Sequence, residues 1–570
     1  MKTCDDGNTP PSPPKSADCC CPTSLPSGPR VFKSPEPPEP MMSQARLKAS
    51  LRDTSAPQIG AQNLHIADAM PPVYLLPGIK FDLVNPTGNI KKQPYSISNN
   101  DKGVIYSKVQ NLPQVRNNGL VVCCHGQIGS KNKDKAFETF WDYLAKCLAA
   151  NNFIVVSIRH NSVGAESSAD QFLTHLQFLL GETNPVKNPA TQFNLPGKPV
   201  ALVGQSEGGA GAILAAQRIS NFEISNVLGF VSAVVGLAPA SRQLAGDYTQ
   251  SLLILQGTHD GDEPIGAGSL APYEFATPSE SKHFGWIHGA NHIRMLDTGN
   301  AGDVIPVGDN ELRIKTATQH LIVQNYVTTF LKWRLAKETK FRPIFIGDGS
   351  FNFSQSLVQD VQNDIASGRL RVSPRYDPGE FSPSTSLAKS SDFQFIDLFQ
   401  NGIKITVDKP AKFDSLKNLG AENSFAHQLT PGFIVEWDRS KLPNPRIVIP
   451  LGANVMAGAP KFFEFQAVLA DLISNPKDGL LLVTSLILQI QNQPQFISPP
   501  AFVTIQSPLI QKTPSAIGKM TRCPLGTIRI PIANWKIPVG AKVLSLMLNF
   551  GQSSLFTGRI AVSGFRAVPA

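Results

Sequence analysis

From about residue 104 the chain alternates short, continuous apolar runs with longer segments of helical period, and few folds accept that pattern. The runs cover residues 120–124, 153–158, 200–203, 227–237, 252–255 and 284–287. Because they are continuous rather than alternating, they suit strands buried on both faces of a parallel sheet. Between the first two, Phe137, Phe140, Trp141, Leu144 and Leu148 recur every three or four residues, the stripe of an amphipathic helix. A final helix is expected over about 311–336, with Leu321, Tyr326, Val327, Phe330 and Trp333 on or near one stripe. Strand–helix alternation of this kind builds an open α/β sheet covered by helices on both faces. Residues 63–343 are assigned to that layer.

After Lys340 the helical period largely stops. Apolar runs at 433–437, 446–451, 462–469, 480–489, 502–506, 527–532, 543–550 and 559–565 follow, divided by Pro, Gly, Asn and Ser. Ile528, Ile530 and Ile532 fall on one face of a strand, as do Leu544, Leu546, Leu548 and Phe550. Period two with frequent turn residues means half-buried antiparallel sheet, most simply a sandwich, so residues 344–570 are read as an all-β, jelly-roll-like unit. Residues 1–62 hold 12 prolines. Such a segment buries too little apolar surface to offset its ordering entropy and is expected to be disordered. Its cysteines, Cys4, Cys19, Cys20 and Cys21, lack paired C-x-x-C spacing and a nearby histidine, so no metal site is expected there.

Composition excludes several functions. Lys plus Arg is 52 and Asp plus Glu is 43, a net charge of +9 spread thinly over 570 residues. No dense basic run of the kind that binds nucleic acid is present. The longest apolar stretch, about 227–240, contains Ser232 and falls short of the ~18 residues of a membrane span. Eight cysteines are too few for a disulfide scaffold, and the N-terminus has no apolar core of a secretory signal. A cytoplasmic location is the expectation.

The chemistry concentrates around Gly204-Gln205-Ser206-Glu207-Gly208, which follows an apolar strand and precedes a small-residue helix. A serine hydroxyl is a weak nucleophile and must be exposed beside a base; a sharp strand-to-helix turn does this, and its glycines let neighbouring backbone pass close by. An acid and a base should follow at later strand ends. One such end reads Gly257-Thr258-His259-Asp260-Gly261-Asp262 and the next reads His288-Gly289-Ala290-Asn291-His292. Asp262 rivals Asp260 as the acid, whereas His259, beside the acid on the same turn where the Ser–His–Asp chain is harder to close, is read as a loop residue. His288 and His292 have the spacing of a helical zinc pair, but the glutamate of H-E-x-x-H is missing, so neither a metal nor a cofactor is expected.

These motifs resemble the α/β-hydrolase superfamily, and within it dienelactone hydrolases, cutinase-like polyesterases and chlorophyllase-type enzymes. The resemblance covers roughly residues 72–340. It implies Ser206 as nucleophile, His292 as general base and then acid, and Asp260 as the group that orients the imidazole. It also implies two backbone oxyanion donors: Glu207, after the nucleophile, and Gln127, in the loop His125-Gly126-Gln127. His125 is read as support for that loop. The implied activity is hydrolysis of a small or polymeric carboxylic ester. Amide or peptide substrates stay open, and so does a silent hydrolase scaffold whose β unit does the binding. With every candidate from Gln127 to His292 inside residues 63–343, that segment is expected to fold and act alone. The β unit resembles galactose-binding-like jelly rolls of carbohydrate-active enzymes, on runs 526–532, 543–550 and 558–568. Sugar or polymer contact would there fall to Trp437 and Trp535, the tryptophans available.

Overall fold

The computed structural model describes residues 79–375 apart from 85–87, 110–117, 128–135, 161–163, 185, 221–230, 241–245, 249, 263–272, 274–275, 279–280 and 298–312. Further on it describes 385–386, 403–407, 432–440, 446–450, 461–469, 480–505 apart from 492, 509–512, 519–522, and 526–568 apart from 553 and 556. The proline-rich tail and its cysteine cluster lie outside the described residues.

Nine strands form one mixed sheet. In chain order they are β1 (Ile90–Ser96), β2 (Lys102–Lys108), β3 (Leu120–Cys124), β4 (Ile154–Ile158), β5 (Val200–Gln205), β6 (Val231–Leu237), β7 (Ser251–Gly257), β8 (Lys282–Ile287) and β9 (Val372–Arg375). Their order across the sheet is β9-β8-β7-β6-β5-β3-β4-β2-β1. Strands β3 to β8 run parallel, whereas β1, β2 and β9 are antiparallel to their neighbours. The six parallel strands coincide with the six apolar runs. Their residues alternate between two cores, as double-sided burial demands. Val121, Val155, Val203, Val235 and Leu253 face α1 (Asp142–Ala150) and α4 (Thr316–Arg334). Val122, Val156, Leu202, Val234 and Ile254 face α2 (Ala165–Gly181) and α3 (Glu207–Ser220).

The chain leaves β3 to one side for β4, then returns to the other side for β5. The strand order therefore reverses between β3 and β5. In open α/β sheets that reversal opens a crevice beyond the carboxyl ends of the strands, and ligands bind there.

The sheet draws one strand from beyond residue 343. After the short helix Arg342–Ile346, strand Gly349–Phe351 pairs with Ile79–Phe81, and α5 (Gln359–Ala366) is tied to α4. The tie is Asp364, fully buried, whose carboxylate accepts from the Lys315 backbone N–H at 2.8 Å, the Thr318 hydroxyl at 2.5 Å and the Arg369 guanidinium at 2.8 Å. A carboxylate at a helix start satisfies amides that have no intrahelical acceptor. The chain then enters β9, against the edge of β8.

The remaining strands form two larger antiparallel sheets. One is ordered Ile403–Val407, Gly432–Asp438, Thr557–Val568, Phe462–Leu469, Gly526–Pro531, and the other Arg446–Pro450, Lys542–Asn549, Leu480–Gln489, Phe496–Ile497. Strand Ala501–Ile505 also pairs with Leu480–Gln489. Val435, Phe463, Phe465, Ile560 and Val562 of the first share one core with Ile447, Leu482, Leu486, Leu546 and Leu548 of the second. Trp437 and Trp535 belong to that core, 3% and 0% exposed, so neither tryptophan offers the surface that sugar contact would need. Arg529 joins the two parts of the molecule: its guanidinium meets Glu464 at 2.7 Å and Asp348 at 2.9 Å.

Candidate active site

Gln205 ends β5 and Glu207 begins α3, so Ser206 is the single residue between strand and helix. Its φ is +55°, a left-handed conformation that costs a non-glycine residue about 1–3 kcal/mol. Surrounding bonds hold it there. The Ser206 N–H donates to Leu237 O at 3.0 Å, and Ser206 O accepts from Ala210 at 3.0 Å and Ala240 at 3.1 Å. The turn is tight enough to require its glycines. A Cβ on Gly204 would lie 2.0 Å from Gly208 O, and one on Gly208 would lie 2.3 Å from Cys124 O. The side chain of Ser206 is left half-exposed at the reversal point of the sheet.

The loop after β3 passes directly over this turn. A Cβ on Gly126 would come within 2.4 Å of the Ser206 Cβ, so only glycine allows the approach. Gln127 follows and is exposed. His125 is buried beneath: its Nδ1–H donates to Gly126 O at 2.8 Å, and its Nε2 accepts from the His160 backbone N–H at 3.4 Å. Burial lowers its pKa to about 4, so the ring stays neutral and braces the loop.

Asp260 and His292 meet. His292 Nδ1 lies 2.8 Å from Asp260 Oδ2, with Asp260 fully buried and His292 4% exposed. The same oxygen accepts from Gln256 Nε2 at 2.8 Å. Asp262 contributes its backbone, donating its N–H to Asp260 Oδ1 at 3.1 Å. His259 is buried, with Nδ1 3.2 Å from the Thr258 hydroxyl. His288 points the other way, its Nε2 2.7 Å from Ser373 Oγ on β9. It does not pair with His292, and no metal-holding cluster of three His, Cys, Asp or Glu occurs among the described residues.

The two turns carrying Asp260 and His292 are zipped together. His259 N–H donates to Ala290 O at 2.9 Å, and Gly289 N–H donates to Thr258 Oγ1 at 2.9 Å. A Cβ on Gly257 would lie 2.4 Å from Ala290 O. From the helix side, Gln319 of α4 clamps the backbone of Asn291 with both ends of its amide, at 2.8 and 3.1 Å. Gln205 adds a third brace: its Oε1 accepts from Gly126 N–H at 3.2 Å, and its Nε2 donates to His292 O at 3.4 Å. Sequence reasoning overlooked Gln205, Gln256 and Gln319. Each is a buried polar residue at or beside an apolar element, which is the signal that could have found them.

The carboxylate of Glu207 reaches the start of α2. Its Oε2 accepts from Gly164 N–H, at the start of α2, at 3.1 Å and lies 3.9 Å from His160 Nε2. Its backbone amide opens α3 and has no acceptor within the helix.

The candidates thus converge on the carboxyl ends of β3, β5, β7 and β8. A half-exposed serine sits at a helix start beside a glycine loop, and a buried carboxylate is bonded to an imidazole two turns away. Chemically this set can deliver a hydroxyl nucleophile, shuttle its proton and receive developing negative charge. No family model matches the chain, and no curated protein matches it.

Proposed function

We propose that the chain is a serine hydrolase of the α/β-hydrolase kind, cleaving carboxylic esters through an acyl-enzyme on Ser206. The observation that carries this reading is the 2.8 Å contact between Asp260 and His292, at the same sheet end as a serine held at φ +55°. Either feature alone has ordinary structural explanations. A strained serine and a buried acid–imidazole pair at the reversal point of one sheet together match what nucleophilic catalysis requires.

In this mechanism His292 takes the Ser206 proton as the hydroxyl attacks the ester carbonyl. Asp260, bonded at Nδ1, keeps the proton-accepting nitrogen toward the serine and stabilises the imidazolium that forms. The N–H groups of Gln127 and Glu207 receive the tetrahedral oxyanion. Gly126 N–H is engaged by Gln205, which favours Gln127 as the donor from that loop. Collapse expels the alcohol with the proton held by His292. A water activated by the same ring then releases the acid and restores Ser206.

Ser206→Ala should remove hydrolysis of short p-nitrophenyl esters, with a loss of roughly 10⁶ in kcat by analogy with serine proteases. Its circular dichroism should be unchanged, and a fluorophosphonate probe that labels the wild type should not label it. Residual activity within about tenfold, a loss of only ~1.4 kcal/mol, overturns the assignment. A folded wild type that neither labels nor turns over esters is a silent scaffold.

A further inference from the structure

We propose that Gln205 is a positioning residue that sets the separation of the oxyanion loop and the base turn, an inference that rests on the hydrolase reading above. Gln205 is 3% exposed and ends the strand that delivers Ser206. Its side chain reaches in two directions: Oε1 to the N–H of Gly126 on one side, and Nε2 to the carbonyl of His292 on the other. The two partners lie 79 residues before and 87 residues after it in the chain. They belong to the two turns whose spacing decides whether base and oxyanion donors can act on one carbonyl.

The orientation of the amide is fixed by its partners. An N–H can meet only the carbonyl end, and a backbone C=O can meet only the NH₂ end, so a flipped amide would set donor against donor and acceptor against acceptor. The interaction also selects which amide serves the reaction. With the Gly126 N–H turned to Gln205, the next N–H, that of Gln127, is the one left for the oxyanion. A residue one methylene shorter reaches one partner but not both. An apolar residue of equal length fills the space but leaves a buried N–H and a buried C=O without this partner.

At 3.2 and 3.4 Å the two bonds are long. Losing them leaves a buried N–H unsatisfied and lowers stability, whereas misplacement of a reacting group by about 1 Å can cost about 10²-fold in rate within the molecules that stay folded. This difference separates positioning from mere support.

The test uses the full chain with p-nitrophenyl acetate and a fluorophosphonate probe. Gln205→Met should lower kcat and the probe's labelling rate, both per folded molecule, by about 10- to 100-fold, with KM within about threefold and a melting temperature lowered by the loss of the Gly126 N–H partner. Gln205→Asn, which keeps the amide but shortens the stem, should fall between Met and the wild type, and it serves as the readout if the Met variant does not fold. Labelling and turnover within about threefold of wild type in both variants would overturn the proposal, as would losses that merely follow the folded fraction. A wild type that does not label Ser206 instead defeats the hydrolase reading itself, so the two failures are distinguishable.

Discussion

The turn after β8 carries a buried histidine at each end, and the two ends face different parts of the molecule. His292 meets the carboxylate of Asp260 at 2.8 Å, and its carbonyl accepts from Gln205, the residue before the candidate nucleophile. His288 meets the hydroxyl of Ser373 at 2.7 Å, on the side of β9. Both rings are nearly removed from solvent, 4% and 6% exposed. Burial lowers the pKa of His288 to about 3, and the nearby positive charge of Arg371 adds to the effect. An imidazole with no anion beside it stays neutral and serves as a hydrogen-bonding strut. An imidazole with a carboxylate against Nδ1 has the partner that stabilises a transient positive charge. The role of each histidine follows from its partner rather than from burial.

The most drastic way to break this comparison is to remove one side of it. A chain ending at residue 343 lacks β9, and with it Ser373 and the Arg371 carbonyl that accepts the His288 N–H at 3.0 Å. The row of hydrogen-bonding groups on β8 is then open, an edge prone to aggregation. Residues 63–343 alone are expected to aggregate or remain unfolded, whereas a chain ending just past Arg375 should recover soluble protein and small-ester turnover. The sheet takes its edge strand β9 from beyond the segment 63–343 read from the sequence. Equal solubility and equal melting temperature of the two truncations would show that the His288 side contributes nothing.

At the other end of the turn, Asp260→Asn should cost about 10⁴ in kcat, because an amide leaves the imidazole in the wrong tautomer. Asp262→Asn should stay within about threefold, since Asp262 supplies a backbone donor to Asp260. Measuring both variants on one p-nitrophenyl ester decides the matter, and the reverse ranking would move the acid to Asp262.

Stability against pH isolates the neutral histidines. His125, His175 and His288 have pKa values lowered to about 4, 4 and 3, and those of His283 and His320 are lowered too, chiefly by burial. In the unfolded chain each takes up a proton below about pH 6.5. Their contribution is therefore complete above that pH and is lost as the pH falls toward the folded values, by about 1.4 kcal/mol per pH unit for each ring. Urea midpoints should drop steeply from about pH 6.5 down to about pH 4. The His288→Asn variant should show a shallower slope over that range, by about 1.4 kcal/mol per pH unit. A flat profile would mean that these rings are charged or exposed in the fold.

How much of this was readable in the sequence depends on where the stabilising contacts lie. The six parallel strands were legible because burial on both faces leaves a continuous apolar run. Strands β1 and β9 were not. They are edge strands, Ile90–Ser96 being largely polar, and they carry Pro94 and Pro374, which read as breaks although an edge tolerates proline. The turns that carry Ser206, Asp260 and His292 were legible because strand-end turns announce themselves through glycine. The braces were not, because Gln205, Gln256 and Gln319 bond groups whose proximity depends on the order of strands in the sheet. For Glu207 the sequence placed the backbone, but only the packing of α2 against α3 shows that its carboxylate meets Gly164.

The smallest expected effect sharpens the comparison most, because it changes one atom on the side of β9. Ser373→Ala leaves the β9 backbone ladder in place and removes the hydroxyl that meets His288 Nε2. A buried nitrogen without its partner costs about 1–3 kcal/mol. The loss should appear as a lower melting temperature or urea midpoint. Activity should change little, because the His292 end of the turn keeps its own braces: Gln319 on Asn291, Thr258 on Gly289, and the Asp260 carboxylate. A drop in kcat below about threefold, with stability clearly reduced, keeps the two ends independent. A drop of tenfold or more would show that position is transmitted along the five residues from His288 to His292. Because β9 also packs beside strand Gly526–Pro531, with Ser373 close to Gly526, the antiparallel sheets would then act on the base turn rather than merely adjoin it.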